Sequence, residues 1–334
     1  MRLFDNDHHI CRVEENILEL HVRLPREPVF HDRMLLPAES RIISNAIQET
    51  VKMIALRDVV QVASLPIWLE AALNVRAETG SPIIYDCHDH IAGLPKMASE
   101  VAAAETVAMQ SADRVLFSSS SLRNQHEGAV PTHSSILLRN ATDAAKRLPP
   151  RKASAQNIAR RPVAGYVGAL GTWFDVTAVQ RAAESNPDID FVLAGSVELD
   201  SIQKLGSLAN VSLLGEVPHT ELPALYASFD IGLIPFRLNE LTRATDPIKF
   251  YEYCAYGLPI VSTRLPELER YADVVYFASG PEEFALQVRR SLVASDELRI
   301  KRELEIAATE TWLARARVLS GLFSQLLPDD SLDR

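Results

Sequence analysis

Lys249 and Glu252 are the residues whose types and spacing indicate chemistry most directly. They lie three residues apart, so a helix places both on one face. The sequence predicts this helix from Asp246, the expected N-cap, and Pro247 at the first helical position, to Gly257 at its left-handed end. A cation and a carboxylate at a free helix N-terminus suit a ligand with phosphate and hydroxyl groups, such as a sugar nucleotide. The same pair is also typical of a solvated ion pair.

Glycines at the ends of predicted strands form a second pattern. They are Gly168 with Gly171, Gly195 and Gly215. Ligands of open α/β sheets bind outside the carboxyl ends of the strands, so we expect these glycines and the helix start at Asp246 to share one rim. The turn from Gly168 to Gly171 lacks the full G-x-G-x-x-G spacing, so a dinucleotide site is only weakly indicated and a tight turn without ligand remains the alternative.

A polar cluster of Asp86, His88, Asp89 and His90 ends another predicted strand. Two histidines and two aspartates within five residues resemble a metal-binding sequence. Alternation along a strand, however, sends Asp89 to the side opposite the other three, and no second ligand group follows at a clear spacing. The residues alone therefore favour a structural cluster and predict no metal ion here.

The bulk composition is that of a globular protein. The chain has 334 residues, 47% of them hydrophobic, and a net charge of −10. This length predicts two domains. The acidic balance argues against a nucleic-acid partner, which needs a basic face, but leaves a nucleotide ligand open. Three cysteines without metal-type spacing, and the lack of a signal peptide or long apolar run, predict a reduced, cytoplasmic location.

Short apolar runs alternate with longer amphipathic ones, which predicts an α/β fold with doubly wound parallel sheets. The predicted strands are 17–22, 59–62, 83–87, 114–117, 135–138, 163–167, 191–194, 211–214, 231–235, 259–262 and 274–277. The predicted helices include 39–56, 67–78, 97–111, 221–228, 281–293 and 295–327. Pro149, Pro150 and the basic stretch that follows interrupt the alternation. We therefore expect domains at 1–148 and 162–294, a linker at 149–161, and a C-terminal helix at 295–334 that can pack back toward the first domain.

A family resemblance begins in the same helix and the strand behind it. Glu252 precedes the run Ala255-Tyr256-Gly257-Leu258-Pro259-Ile260-Val261, which resembles the donor-binding segment of retaining glycosyltransferases of the GT-B fold, group 1 or family 4-like. Further matches lie at 165–170, 173–175, 191–195, 210–215, 221–226 and 230–236. The similarity is close to continuous from Pro162 to about Leu292.

The resemblance implies two Rossmann-like domains facing a cleft. It implies transfer of a sugar from a nucleotide-diphosphate sugar to a glycan or lipid-linked acceptor, with retention and with neither a metal ion nor a cofactor. The implied donor-binding residues are Gly168, Gly171, Gly195, Glu216, Val217, Arg243, Thr245, Asp246, Ile248, Lys249 and Glu252. In the first domain, a cleft histidine of the family matches His88, and Asp89 is assigned to the acceptor hydroxyls, so both are catalytic candidates.

Two departures from the family pattern change the expected roles. Ala244 replaces a second carboxylate, and the usual Arg and Lys are missing between Leu170 and Val176. Arg243 or Lys249, with the helix N-terminus, must then meet the diphosphate. The expected backbone donors around Pro247, which has no N–H, are those of Thr245, Asp246, Ile248 and Lys249. The ribose is assigned to Glu252 and the nucleobase to the backbone of Glu216 and Val217.

Other segments receive structural expectations. Residues 139–143 resemble the turn that ends the family's first domain, with Ala141 in place of glycine. Trp312 and Arg315 are predicted either to brace the two domains or, for the Trp, to lie in the core. The first domain is expected to lack its opening βαβ unit, which would expose a sheet edge and favour homo-oligomers.

Two alternatives to transfer remain open. One is an inactive GT-B relative that acts as a scaffold or partner subunit, and the other is a sugar-nucleotide epimerase or hydrolase of the same fold. Family habit suggests bacterial polysaccharide synthesis, with peripheral contact at the inner face of the membrane. No clear basic amphipathic helix supports that contact.

Overall fold

The structure is a computed structural model that describes residues 3–4, 8–26, 31–143, 160–293 and 297–327. The linker predicted at 149–161 lies almost entirely outside the described residues. The chain divides into two compact units. The first contains Met1–Ser118, Leu122–Leu138 and the chain from Leu319 onwards, and the second contains Ser119–Ser121 and Arg139–Val318. Within the described ranges, no helix is both long enough and apolar enough to cross a membrane.

The first part of the chain combines an antiparallel sheet with a parallel one. In chain order its elements are β1 (Leu3–Phe4), β2 (His8–Glu14), β3 (Ile17–Val22), α1 (Pro37–Met53), β4 (Gln61–Ala63), α2 (Leu69–Thr79), β5 (Ile83–Cys87), α3 (Ser99–Ser111), β6 (Arg114–Phe117), α4 (Ser120–Gln125) and β7 (Ser135–Leu137). Strands β4-β5-β6-β7 form the parallel sheet in that order. Strands β1-β2-β3 form a separate three-stranded sheet.

The pairing of β3 differs from the expectation. The strand has the predicted bounds, but it pairs antiparallel with β2 rather than joining the parallel sheet. Only two residues, Glu15 and Asn16, separate β2 from β3, and so short a connection permits a hairpin but no crossover. Strands β1 and β2 were not predicted from the sequence.

The second unit is built on one six-stranded parallel sheet. The elements from residue 163 onwards are β8 (Val163–Val167), α5 (Val176–Ser185), β9 (Asp190–Ala194), α6 (Asp200–Gln203), β10 (Val211–Gly215), α7 (Leu222–Ser228), β11 (Ile231–Ile234), α8 (Glu240–Arg243), α9 (Ile248–Ala255), β12 (Ile260–Thr263), β13 (Val275–Ala278), α10 (Pro281–Val293), α11 (Glu297–Thr309) and α12 (Trp312–Leu326). The end of α12, from Leu319, belongs to the first unit. The strand order is β10-β9-β8-β11-β12-β13. The chain therefore reverses direction across the sheet between β8 and β11, which is where such sheets bind ligands.

The helix predicted at 295–327 is wrong in its continuity, because the structure has two helices there. Helix α11 ends at Thr309 and α12 begins at Trp312. Thr311 Oγ1 accepts a hydrogen bond from Ala314 N at 3.1 Å, so its side chain caps the new helix. Near the end of α12, Leu322 packs with Ile84 and Leu116 of the first unit's parallel sheet.

Two glycines let aromatic rings press against the strands of the second unit. A Cβ added at Gly165 would lie 2.2 Å from Phe229 Cε2, and one at Gly232 would lie 2.5 Å from Tyr253 Cδ2. The Tyr253 hydroxyl donates to Leu233 O at 3.1 Å. These contacts hold α9, which carries Tyr253, close to the middle of the sheet.

A buried carboxylate fixes the loop ahead of α9. The expectation that Asp246 caps this helix is wrong, because Pro247 is at the N-cap and the helix begins at Ile248. Asp246 is 2% exposed, and its carboxylate accepts hydrogen bonds from Asn140 N and the Tyr251 hydroxyl, both at 2.9 Å. The Asn140 side-chain amide also donates to Asp246 O at 2.6 Å. These partners turn the carboxylate inward, away from the N–H groups of the helix.

Burial raises the pKa of Asp246 to about 6, although Arg270 and the hydrogen bonds from Tyr251 and Asn140 act to lower it. One guanidinium nitrogen of Arg270 lies 3.8 Å from Asp246 Oδ1 and donates to the Tyr251 hydroxyl at 2.7 Å. The turn at 139–143 therefore has a structural role, because the hydrogen bonds of Asn140 to Asp246 connect it to the loop before α9.

The close approach of Phe229 to Gly165 leads to a stability prediction. Gly165→Ala should lower the free energy of unfolding by about 1–3 kcal/mol, because the new methyl group overpacks a buried ring. Gly321→Ala is the control, since an added Cβ there meets no atom within 4 Å. In the middle of α12 this change should raise stability by about 0.5–1 kcal/mol. Urea unfolding followed by circular dichroism measures both, and equal effects would contradict the packing argument.

The burial of Asp246 leads to a pH prediction. Because its pKa rises from 3.8 to about 6 on folding, the stability that it contributes is fully present below about pH 4 and is lost as pH rises through 6. Between about pH 4 and 7, the wild type should lose on the order of 3 kcal/mol relative to Asp246→Asn, which cannot ionise. Denaturant unfolding at both pH values tests this. The exposed Asp273→Asn serves as control, and a pH-independent difference for Asp246→Asn would refute the prediction.

Candidate functional site

Lys249 and Glu252 form a shielded ion pair on the first turns of α9. Lys249 Nζ lies 3.0 Å from Glu252 Oε2, and the two side chains are only 19% and 17% exposed. The solvated pair that the sequence left open is therefore not what the structure shows. The hydroxyl of Tyr226 on α7 donates to the same Glu252 oxygen at 2.7 Å. Two donors from different helices thus hold this carboxylate in one orientation.

Tyr226 remains a hydrogen-bond donor at physiological pH. The residue is buried, and burial together with the charge of Glu252 raises the pKa of Tyr226. Tyr226 lies in the segment 221–226 that resembles the family, but the sequence indicated no role for it. Its place in that segment was the only sequence feature that could have indicated a role. Its contact with Glu252 could not be predicted, because the two residues are 26 positions apart in the chain.

The glycine-containing strand ends meet beside Lys249. A Cβ added at Gly168, where φ is +150°, would lie 3.2 Å from Lys249 Cε. At Gly195 an added Cβ would lie 2.0 Å from Gly168 O, so the two turns contact each other through their backbones. Gly195 N also donates to Gly215 O at 2.7 Å. The structure therefore brings these three glycines to one rim with Lys249.

Gly171 has a different environment. A Cβ there would lie 2.6 Å from the Trp173 ring and 2.7 Å from Glu198 Oε2. Its small size therefore makes room for side chains of the protein. Gly171 O also accepts a hydrogen bond from Phe174 N at 3.0 Å, which closes the turn after β8.

The backbone N–H groups at the start of α9 differ in their bonding. The Thr245 N–H donates within the protein, to Thr242 O at 3.3 Å, and its assignment to a ligand stays a prediction. Phe250 N donates to Pro247 O at 3.0 Å, and the N–H groups of Ile248 and Lys249 precede that bond. They are the donors that a helix end offers to an anion.

The remaining predicted donor residues lie nearer the surface. Arg243 ends α8 and is exposed. Glu216 follows β10 and is exposed, whereas Val217 is half-buried against the core of the second unit. Their positions place them at the ends of elements, as expected for residues on the sheet's rim.

A cavity of about 160 Å³ lies beside Glu252 in the second unit. Its lining includes Asp143, His219, Tyr226, Ile248, Glu252, Tyr256 and Trp312. The sequence did not predict His219 or Tyr256 as site residues, because their spacing matches no ligand-binding motif. Trp312 is 42% exposed, so its assignment to the core is wrong.

Arg315 contacts the turn at 139–143. Its guanidinium donates to Arg139 O at 2.7 Å and to Asn140 O at 2.9 Å. All three residues belong to the second unit. Arg315 therefore secures the same turn that Asn140 links to Asp246.

His88 and Asp89 lie at the end of β5 in the first unit. The His88 ring is 46% exposed, with Nδ1 3.2 Å from Asp86 O and Nε2 3.8 Å from Asp89 Oδ2. Burial raises the pKa of Asp89, and His88 partly opposes this rise. Ser118 Oγ donates to His88 O at 2.6 Å, which fixes the backbone of this strand end. The arrangement presents an imidazole and a carboxylate side by side.

A buried group that the sequence did not predict lies behind the same strand. The Tyr85 hydroxyl donates to Glu105 Oε1 at 3.1 Å, and Cys87 Sγ donates to that oxygen at 3.6 Å. His126 Nε2 is 3.9 Å from the other carboxylate oxygen. Burial raises the pKa of Glu105 to about 7. The residues of this buried group come from β5, α3 and the segment after α4, so their spacing in the sequence could not predict that they meet.

Part of the second unit matches a known protein family. Residues 161–293 match the family model of glycosyl transferases group 1. The chain is 27% identical over 256 residues to a putative teichuronic acid biosynthesis glycosyltransferase, TuaH, of Bacillus subtilis (strain 168). The match covers 69% of this chain and 64% of that protein, so the chain spans less than two thirds of its relative's length.

Similar solved structures extend over both units. Sucrose-phosphate synthase from Thermosynechococcus elongatus has a TM-score of 0.71 at 16% identity, covering 96% of this chain and 86% of that one. Anabaena HepE in complex with UDP-glucose has a TM-score of 0.63 at 17% identity, with 84% and 82% covered. A UDP-forming trehalose-phosphate synthase from Burkholderia vietnamiensis has a TM-score of 0.69 at 14% identity, with 96% and 89% covered. The chain therefore has the GT-B fold, and the segment that matches the group 1 glycosyl transferase model lies within its second unit.

Proposed function

We propose that this protein transfers a sugar from a nucleotide-diphosphate sugar to a glycan or lipid-linked acceptor, with retention and without a catalytic metal ion. The observation that carries the proposal is the contact of Lys249 with both the Gly168 turn and Glu252. This contact lies at the carboxyl ends of parallel strands, inside the region that matches the glycosyltransferase family model.

The diphosphate is assigned to Lys249, Arg243 and the start of α9. An ammonium group has three donors, so Lys249 can keep its bond to Glu252 and still donate to a phosphate oxygen. The N–H groups of Ile248 and Lys249 add the positive end of the helix dipole. Charge develops on the diphosphate as the bond to the sugar breaks, and these fixed groups stabilise it where a metal ion would otherwise be required.

The ribose is assigned to Glu252. Its carboxylate accepts hydrogen bonds and is already oriented by Lys249 and Tyr226. A preoriented acceptor loses little conformational entropy when the hydroxyl groups of a ribose bind. The adjoining cavity and the backbone of Glu216 and Val217 are assigned to the nucleobase.

The remaining assignments rest on relatives and on the family resemblance. HepE structures are described as complexes with UDP and with UDP-glucose, which makes uracil the first nucleobase to test. The Bacillus relative is named for teichuronic acid biosynthesis, which supports an envelope polysaccharide as the product class and a cytoplasmic location. His88 is assigned to orienting the donor sugar, and Asp89 is assigned to the acceptor hydroxyls.

Replacing Lys249 tests the phosphate assignment. Lys249→Met keeps most of the side-chain length but removes the charge, so the Kd for UDP should rise about 10–100-fold, as expected for one charge-assisted hydrogen bond. Binding of uridine, which has no phosphate, should change far less. Lys204→Met, at an exposed lysine elsewhere in the second unit, is the matched control. Isothermal titration calorimetry measures all three proteins, and unchanged UDP affinity for Lys249→Met would reject the assignment.

Product analysis tests the reaction itself. With a labelled UDP-sugar, we expect the label to reach an acceptor glycan with its anomeric configuration retained, at a rate that added Mg²⁺ or Mn²⁺ does not change. Epimerised nucleotide sugar, or free sugar in the absence of acceptor, would support the epimerase or hydrolase instead. A chain that no nucleoside diphosphate stabilises against heat would be the inactive scaffold.

A further inference from the structure

The hairpin of β2 and β3 carries a polar group that sugar transfer does not use. His9 and Cys11 lie on β2, and His21 lies on β3. One ligand atom from each of these three side chains lies within 4.8 Å of the others. Cys11 is a free cysteine and is partly exposed, unlike Cys87 and Cys254, which are buried.

The register of the hairpin creates this cluster. His9 pairs directly with His21, and Cys11 pairs directly with Glu19. Side chains two residues apart on a strand share a face, and directly paired residues share it across the ladder. All four side chains therefore stand on one face of the hairpin, as two neighbouring cross-strand pairs.

The contacts within the cluster show how close these groups are. The imidazole rings of His9 and His21 are stacked, with centroids 4.3 Å apart and planes inclined by 6°. Glu19 Oε2 lies 3.2 Å from His21 Nε2. The side chains of His21 and Glu19 are 45% and 56% exposed, so an ion can reach them directly from solvent.

The four groups match the ligand preferences of zinc. Two imidazoles, a thiolate and a carboxylate are the side chains that bind Zn²⁺ tetrahedrally. Zn–N and Zn–S bonds of the usual lengths place tetrahedral ligand atoms roughly 3.3–3.7 Å apart. The observed limit of 4.8 Å is about 1 Å longer, and the parallel rings of His9 and His21 must also turn so that a nitrogen of each faces the same ion. Rotation about the side-chain bonds provides both changes without moving the paired strands.

The buried group of Cys87, Glu105 and His126 is a weaker candidate, although its ligand atoms are as close. The Cys87 thiol and the Tyr85 hydroxyl both donate to Glu105, which accounts for the carboxylate without an ion. Burial also raises the pKa of the Cys87 thiol, which disfavours the thiolate that a metal requires. In the hairpin, His9 and His21 are exposed and Cys11 is partly exposed, so an ion can approach these groups from solvent.

We propose that His9, Cys11 and His21 bind one Zn²⁺, with Glu19 or a water molecule as the fourth ligand. On binding, the Cys11 thiol releases its proton to solvent and the sulfur forms a bond to zinc. The ion then links β2 to β3 through side chains and stabilises the hairpin. This site is separate from the residues assigned to the nucleotide sugar.

Cobalt binding to the full-length, untagged protein tests the proposal. Co²⁺ occupies zinc sites and reports a bound thiolate through a sulfur-to-metal charge-transfer absorption. We expect one ion per chain with this absorption, and displacement of the Co²⁺ by Zn²⁺. Cys11→Ser should abolish the absorption, and His21→Gln should weaken Zn²⁺ binding at least about tenfold in competition with a chelating dye.

Matched variants locate the site. Cys87→Ser and His133→Gln change a cysteine and an exposed histidine outside the hairpin, and both should keep the absorption and the zinc affinity. Zinc should also protect Cys11 from thiol-specific alkylation. Loss of the absorption in Cys87→Ser with retention in Cys11→Ser would overturn the assignment, as would binding without a thiolate signal or no binding. Titration of Cys11→Ser with UDP measures nucleotide binding separately. The Kd for UDP should be unchanged, because Cys11 is not among the residues assigned to the nucleotide sugar.

Discussion

The buried carboxylate of Asp246 is the constraint on which the candidate donor site depends. It binds the backbone of Asn140 and the hydroxyl of Tyr251, and so fixes the loop that leads into α9. The ionised form would be costly in such a place, which is why burial raises the pKa of Asp246. The result is a helix N-terminus whose position is set by the protein before any ligand arrives. Such preorganisation is what electrostatic stabilisation of a leaving group requires.

Close backbone packing provides the other half of the site. The turns at Gly168 and Gly195 touch through their main chains, and Lys249 lies along Gly168. A side chain at Gly195 would push the two turns apart, and one at Gly168 would crowd Lys249 and the Tyr166 hydroxyl. The size of these residues, as much as their flexibility, therefore sets the distance between the rim and the charged groups of α9. Gly165 and Gly232 act in the same way deeper in the sheet, where aromatic rings fill the space.

The cluster around Lys249 and the cluster on the hairpin differ in their exposure to solvent. In the second unit, Lys249, Glu252 and Tyr226 are shielded from water and hold one another in place. On the hairpin of the first unit, the histidines and Cys11 are brought together by strand register alone and remain accessible to solvent. The first arrangement suits orientation of a bound substrate. The second suits capture of an ion from solution, because the ion can reach these side chains from solvent.

The sequence by itself determined the features that depend on near neighbours. The strands at 83–87, 114–117 and 163–167 have their predicted bounds, and the helix with Lys249 and Glu252 on one face is present. The parallel second sheet and its glycine rim also followed from alternation and turn residues. These properties arise from local propensity and periodicity, which a single sequence carries.

Only the tertiary structure decided which distant groups meet. It turned Asp246 inward, placed the Tyr226 hydroxyl beside Glu252, and paired the Thr245 N–H with Thr242 O. It also paired β3 with a strand that the sequence had not indicated, and so aligned the hairpin's histidines. Long-range contacts of this kind depend on which faces of the helices and strands pack together. The spacing of residues along the chain does not determine that packing.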